Sequence, residues 1–267
     1  MLKYSFMTFA CPEYVLDQVV DAAVRYGYDG VEPRAAEGHL HGVELERTAA
    51  ERAAIRKRFE DAGVAVACIA TSVKFNKSDR NEWQRMVDEA RAYCELAAAL
   101  GAKRIRVFGG HDPVVSDPAV AAARVREALE ACAETAAKCG VFVCLETHDY
   151  FSAGADVAGI CGAINSPWIR ATWDTQHPVT AGETIEETVA LLMAFVKHVH
   201  FHDVDRTHGQ NDIVPIGEGQ APIADFLRIF RDHGYDGYVS AEWFYNHGVE
   251  NDLAHYISAL KSIEKNL

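Results

Sequence analysis

Short apolar, β-branched and aromatic runs alternate along this chain with amphipathic stretches, and that alternation dictates βαβ units around a parallel sheet. There are eight such runs, at residues 4–9, 30–34, 64–70, 104–108, 141–146, 169–174, 198–202 and 238–242. The stretches between them, among them residues 13–26, 43–62, 82–100, 119–139 and 221–233, place Ala, Leu, Val and Ile at helical spacing with charges between. Gly27, Gly63, Gly101, Gly140 and Gly234 stand where a helix gives way to the next strand, the usual place of a left-handed terminating residue. Eight strands, each followed by a helix, within about 250 residues is the size of a closed barrel. The expected fold class is therefore α/β, a single (β/α)8 barrel.

No linker-like or low-complexity tract divides the chain, so residues 1–267 read as one domain. The fragments Gly27-Tyr28-Asp29-Gly30-Val31-Glu32 and Gly234-Tyr235-Asp236-Gly237-Tyr238-Val239 echo one another, each joining a helix end to a strand. Residues 203–220, rich in Gly, Asp, Thr and Gln, exceed an ordinary βα connection and read as a loop over an active site.

Composition narrows the partners. A net charge of −13 repels phosphate, which disfavours nucleic acid and anionic membrane surfaces. The seven cysteines are an odd number without paired metal spacing, and Cys68, Cys132 and Cys144 sit in apolar runs, so a reduced, cytoplasmic protein is expected. No stretch reaches the roughly 20 apolar residues of a membrane span, and the start lacks the plan of a signal peptide.

In a barrel of this kind the chemistry gathers where the strands end. Four consecutive late strands end in groups that bind metals: Glu146, Asp174, His200 and Glu242. Left unpaired, each such ionisable group at an apolar strand end incurs a desolvation cost of several kcal/mol, and a divalent cation removes it. Three carboxylates and one imidazole form a mostly hard-oxygen set that favours Mn²⁺ or Mg²⁺, with Zn²⁺ or Co²⁺ as alternatives. His177 lies just past Asp174, and Arg206 follows His200 by six positions. His148 shares the face of Glu146 by strand alternation, as His198 and His202 share that of His200. His148 and His202 are expected at the substrate, with a deeper, structural place for His198. His111, after Gly109-Gly110 at the end of the fourth strand, is a further pocket residue. Glu32 and Arg34 either pair with each other or reach the pocket, Arg106 reads as a buried ion-pair partner, and Trp243, Phe244 and Tyr245 as an apolar wall or as packing.

On Leu145-Glu146, Asp174-x-x-His177, His198-x-His200-x-x-Asp203 and Ala241-Glu242, the whole chain resembles the xylose-isomerase-like TIM barrels (AP endonuclease family 2), which include sugar isomerases and ketose 3-epimerases. The resemblance implies that Glu146, Asp174, His200 and Glu242 hold a divalent metal. It also implies that His177 and Arg206 contact substrate, and that Glu146 and Glu242 exchange protons with it. The sequence departs from the epimerases at about Ser152, where they carry a further substrate-holding glutamate. The expected function is a metal-dependent sugar isomerase or epimerase working through an enediolate of a keto-sugar or polyol-derived substrate.

Three other readings stand beside it. A lyase or dehydratase of the same superfamily shares the metal site and expels a leaving group from the enediolate, with His148 as acid or base. Asp205-Arg206-Thr207-His208 is similar in residue type to a motif of apurinic endonucleases, but the third strand supplies no histidine for such an enzyme and the charge opposes it. A catalytically dead binding subunit conflicts with an intact ligand set. The substrate reads as a small unphosphorylated sugar, and a homodimer or homotetramer is the expected assembly.

Overall fold

A computed structural model describes every residue except Ser116, Gln210, Asn211, Phe244, Tyr245 and Asn246. Its strands are β1 (Lys3–Met7), β2 (Gly30–Glu32), β3 (Ala65–Val66), β4 (Ile69–Lys74), β5 (Arg104–Phe108), β6 (Phe142–Glu146), β7 (Ile169–Asp174), β8 (Val196–Phe201), β9 (Asp203–Asp205), β10 (Asp212–Val214) and β11 (Tyr238–Ala241). Nine of them form one parallel sheet in the order β3-β2-β1-β11-β8-β7-β6-β5-β4. β3 and β4 are two halves of a single stave: β3 pairs with β2, β4 pairs with β5, and an Arg34–Ala70 bridge joins the ends. Backbone bonds Ala67 N to Val31 O, Ala70 N to Pro33 O and Ala35 N to Ala70 O close the ring. The result is an eight-stave barrel, as the strand count predicts.

The helices are α1 (Leu16–Tyr26), α2 (Ala49–Ala62), α3 (Arg80–Leu100), α4 (Pro118–Cys139), α5 (Gly154–Ala163), α6 (His177–Thr180), α7 (Ile185–Leu192), α8 (Ile223–Asp232) and α9 (Val249–Lys265). Local chemistry explains their ends. Thr48 and Glu51 close a capping box at the start of α2, and Asp79 and Asp117 accept backbone N–H groups at the starts of α3 and α4. Gly101 and Gly140 end α3 and α4 at φ values of 79° and 63°, a conformation that other residues adopt only with strain. No helix among the described residues is long and apolar enough to cross a membrane.

Alternation along the staves divides core from site. On β7 and β8, Trp173 and Phe201 turn outward onto α8, where Phe226 and Phe230 lie 5.7 and 5.5 Å from the Trp173 ring. Their neighbours Thr172, Asp174, His198 and His200 are buried on the other face. The strand boundaries depart from expectation at several staves: the second ends at Glu32 rather than residue 34, and the seventh begins at Val196 rather than residue 198. The third stave continues past residue 70 to Lys74, and the first ends at Met7, where Thr8–Ala10 tightens into a 3₁₀ turn.

Candidate metal and substrate site

β6, β7, β8 and β11 are consecutive neighbours, so the groups at their ends converge. One ligand atom each from Glu146, Asp174, His200 and Glu242 lie within 4.8 Å of one another. Glu146, Asp174 and His200 are buried, and Glu242 is partly open, its side chain 20% exposed. The set anticipated from the strand ends is thus brought together.

The orientation of His200 is fixed from behind. Glu32 receives the Nε2 hydrogen of His198 at Oε2 (2.7 Å) and that of His200 at Oε1 (3.0 Å). That tautomer turns the Nδ1 lone pair of His200 toward Glu146 Oε1 at 2.6 Å and Glu242 Oε2 at 2.9 Å. A lone pair facing two carboxylate oxygens is repulsive unless positive charge stands among them. Burial would lower the His200 imidazole, but Glu242, Glu32 and Glu146 outweigh it and draw it well above the usual range. Burial would likewise raise Glu146 and Glu242; His200 and then Arg106 hold both below the ordinary carboxylate range. A proton on Nδ1 satisfies one carboxylate, whereas a divalent cation bound by Nδ1 and the three carboxylates satisfies the whole set, so the residues fit such an ion.

Asp174 is held so that only one oxygen is committed. Its Oδ1 accepts from Gln176 N (2.8 Å), while Oδ2 lies 3.8 Å from both His177 and His202. Above the cluster opens a cavity of ≈360 Å³, lined among others by Arg34, Arg106, Phe108, His148, Gln176 and Glu242. His177, His202 and Trp243 also line it. His148 packs against Phe108 and His177 at ring distances of 4.7 and 4.6 Å. Its Nδ1 lies 3.0 Å from Asp149, a non-glycine residue at φ 52° that bends the chain to bring this carboxylate back. Burial would lower the His148 imidazole, yet Asp149 and Glu146 together raise it above its usual value.

Other residues lie elsewhere than expected. His111 is exposed and sits 5.8 Å from the Tyr150 ring, outside the cavity lining, because Gly110 at φ 83° turns the chain away after β5. Arg206 is not in the lining itself; it donates Nη2 to Gln176 Oε1 at 2.7 Å and reaches the cavity through that amide. Glu32 and Arg34 do not pair: Glu32 holds the two histidines, and Arg34 lines the cavity. Arg106 is the buried ion-pair partner expected, with Nε 3.1 Å from Glu146 Oε2, and it faces the cavity as well. Ser152 caps its own turn by donating to Asp149 O at 2.7 Å. Phe244 and Tyr245 lie outside the described residues. Gln176, Thr180, Phe9 and Ile213 are lining residues for which the sequence offers no signal beyond proximity to a strand end.

Residues 20–265 match the family described as xylose isomerase-like TIM barrel. The chain belongs to that family. Among proteins of known function, it is 22% identical over 250 residues to fructoselysine 3-epimerase of Escherichia coli O157:H7, covering 90% of each chain. Among solved structures, the family fold is shared with the probable 3-DHS dehydratase AsbF of Bacillus anthracis (TM-score 0.81, 18% identity, 97% of this chain and 99% of that one). It is shared also with the IOLI protein, solved with a bound zinc atom (TM-score 0.82, 17% identity, 99% and 97%).

Proposed function

We propose that this chain is a divalent-metal-dependent sugar isomerase or epimerase that moves a proton on the carbon beside a ketose carbonyl. The observation that carries the reading is the convergence of Glu146, Asp174, His200 and Glu242 within 4.8 Å, at the foot of a cavity sized for a small sugar. Those four residues hold the ion, with Mn²⁺ or Mg²⁺ favoured by the oxygen-rich set. The cation, when bound, supplies Lewis acidity toward the substrate carbonyl. Glu242 faces the cavity and takes the proton from the adjacent carbon; Glu146, across the cluster, serves the opposite side in an epimerisation. His177, His202 and Gln176 orient hydroxyl groups, and Arg206 fixes the Gln176 amide.

A second reading rests on an asymmetry between the two glutamates. Glu242 lines the cavity, but Glu146 does not, and its oxygens are engaged by His200 and Arg106. His148 does line the cavity, with Nδ1 engaged by Asp149, leaving Nε2 for acid–base work. A lyase that uses Glu242 and His148 fits this arrangement. The test is incubation of Mn²⁺-reconstituted protein with ketoses, 3-keto sugars and sugar acids in D₂O, followed by NMR. The expected outcome is deuterium at the carbon beside the carbonyl, reduced about a hundred- to ten-thousandfold in Glu242→Gln. Equal loss in Glu146→Gln identifies the epimerase; elimination products with loss in His148→Ala identify the lyase. No exchange and no elimination with any member of the panel overturns both.

A further inference from the structure

Two guanidinium groups line the cavity, and the proton transfer proposed above needs neither. Arg34 is 5% exposed and its outer nitrogens are committed: Nη1 donates to the carbonyls of Ala35 (2.6 Å) and Ala70 (3.3 Å), Nη2 to Glu37 Oε1 (2.8 Å) and Ser72 Oγ (2.7 Å). Its Nε is buried with no acceptor. Arg106, 1% exposed, donates Nη1 to Thr71 O at 2.7 Å, has Nε 3.1 Å from Glu146, and lies over the Phe108 ring at 4.0 Å. Among the described residues, its Nη2 makes no hydrogen bond.

Arg106 has buried Glu146 as its counter-ion, and Arg34 is the incompletely neutralised member of the pair. Burial and the nearby Arg106 charge together bring Arg34 down to about 10, and Glu37, its acidic partner, is 43% exposed and screened by water. A hydroxyl group gives one N–H an acceptor but leaves two like charges facing a common space. An anion answers both requirements at once. We infer that the substrate carries a carboxylate, seated between Arg34 Nε and Arg106 Nη2, with its carbon skeleton against Phe9, Phe108 and Trp243. This rests on the proton-transfer reading for where the reacting end lies, and it narrows the substrate class from sugars to keto or sugar acids. A phosphoryl group fits less well. It needs more donors than the one N–H left on Arg34 and the Nη2 group of Arg106 supply, and no glycine or lysine lines the described cavity to add to them.

The test is calorimetric binding to the full chain loaded with Mn²⁺, using pairs that differ only in the acid: D-fructose and D-fructuronate, D-tagatose and D-tagaturonate, methyl quinate and quinate. D-fructose 6-phosphate is the phosphoryl arm. In at least one pair the acid should bind at least tenfold more tightly than its neutral partner, and Arg34→Gln should bring that ratio close to one. The proposal is overturned if no acid outbinds its neutral partner, if the phosphate is the preferred anion, or if the preference survives in Arg34→Gln. Where the variant fails to fold, a wild type in which no acid outbinds its neutral partner, or in which the phosphate is preferred, still overturns the proposal. Deuterium exchange on the same samples separates the two ideas. Exchange with neutral ketoses and no acid preference overturns the carboxylate and leaves proton transfer standing; Arg34-dependent acid binding without exchange or elimination does the reverse.

Discussion

Glu32 holds two histidines at once, His198 through Oε2 and His200 through Oε1, and so determines which nitrogen His200 turns toward the carboxylates. It is fully buried; burial would raise its carboxyl, but His198 and His200 outweigh that and keep it ionised, well below the usual range. An anion behind the ligand increases the basicity of the imidazole, as partners of metal-bound histidines generally do. Glu32→Gln keeps the shape and removes that charge, so Mn²⁺ affinity should fall about 10- to 100-fold with all four ligands intact. Titration calorimetry checks it, and a dissociation constant within twofold of wild type would reduce Glu32 to packing. At this scale the four-residue cluster was legible because Glu146, Asp174, His200 and Glu242 stand at the ends of apolar strands. Glu32 was not. Its partners lie 166 and 168 positions away, and two-residue spacing allows an Arg34 pair equally well until the curvature of the barrel turns the two side chains to different neighbours.

The segment from β9 to α8 shows how an element is organised by one side chain. Asp203, 1% exposed, accepts four backbone N–H bonds, from Val204 (2.9 Å), Gly217 (2.9 Å), Gly219 (3.0 Å) and Ala221 (3.0 Å). A Cβ on Gly219 would lie 2.2 Å from the Asp203 carboxylate, so the close approach requires glycine there. The segment carries Ile213 into the cavity wall and Arg206 onto Gln176. Asp203→Asn turns an acceptor toward N–H groups as a donor, which should cost about 2–3 kcal/mol given the usual strength of hydrogen bonds to charged groups. The expected result is a melting temperature lower by roughly 5–10 °C for a chain of this size. KM should rise several-fold, since the wall and Gln176 loosen together, while the Mn²⁺ dissociation constant stays within twofold. An unchanged KM would detach this segment from substrate binding. Its length and composition marked it as covering a site. The β9–β10 ribbon inside it was not legible, because Asp203-Val204-Asp205 and Asp212-Ile213-Val214 are three-residue strands containing aspartate, which strands generally exclude. The eight staves were legible for the opposite reason: long apolar runs, with glycine at the preceding helix ends, leave few other structures open.

At the scale of the molecule, an acidic chain concentrates three carboxylates and Glu32 within one end of a barrel whose net charge is already −13. Folding brings these anions together, and the unfolded chain keeps them apart in water, so the folded state alone gains from a cation placed among them. Stabilisation by a ligand that binds only the native state follows RT ln(1 + [L]/Kd), about 4 kcal/mol at a thousandfold excess over Kd. For a protein of this length each kcal/mol moves the melting temperature by roughly 2–4 °C. Stripping the protein with a chelator should therefore lower its melting temperature by about 10 °C, and adding back Mn²⁺ should restore it, with close to one ion per chain by mass analysis. Asp174→Ala removes one carboxylate from the cluster, and its melting temperature should be the same with and without chelator. The variant matters because chelators also strip adventitious surface ions. A chelator effect that persists in Asp174→Ala would place the stabilising ion elsewhere, and a wild type indifferent to chelator after verified reconstitution would mean that a proton on His200, not a metal, neutralises the cluster.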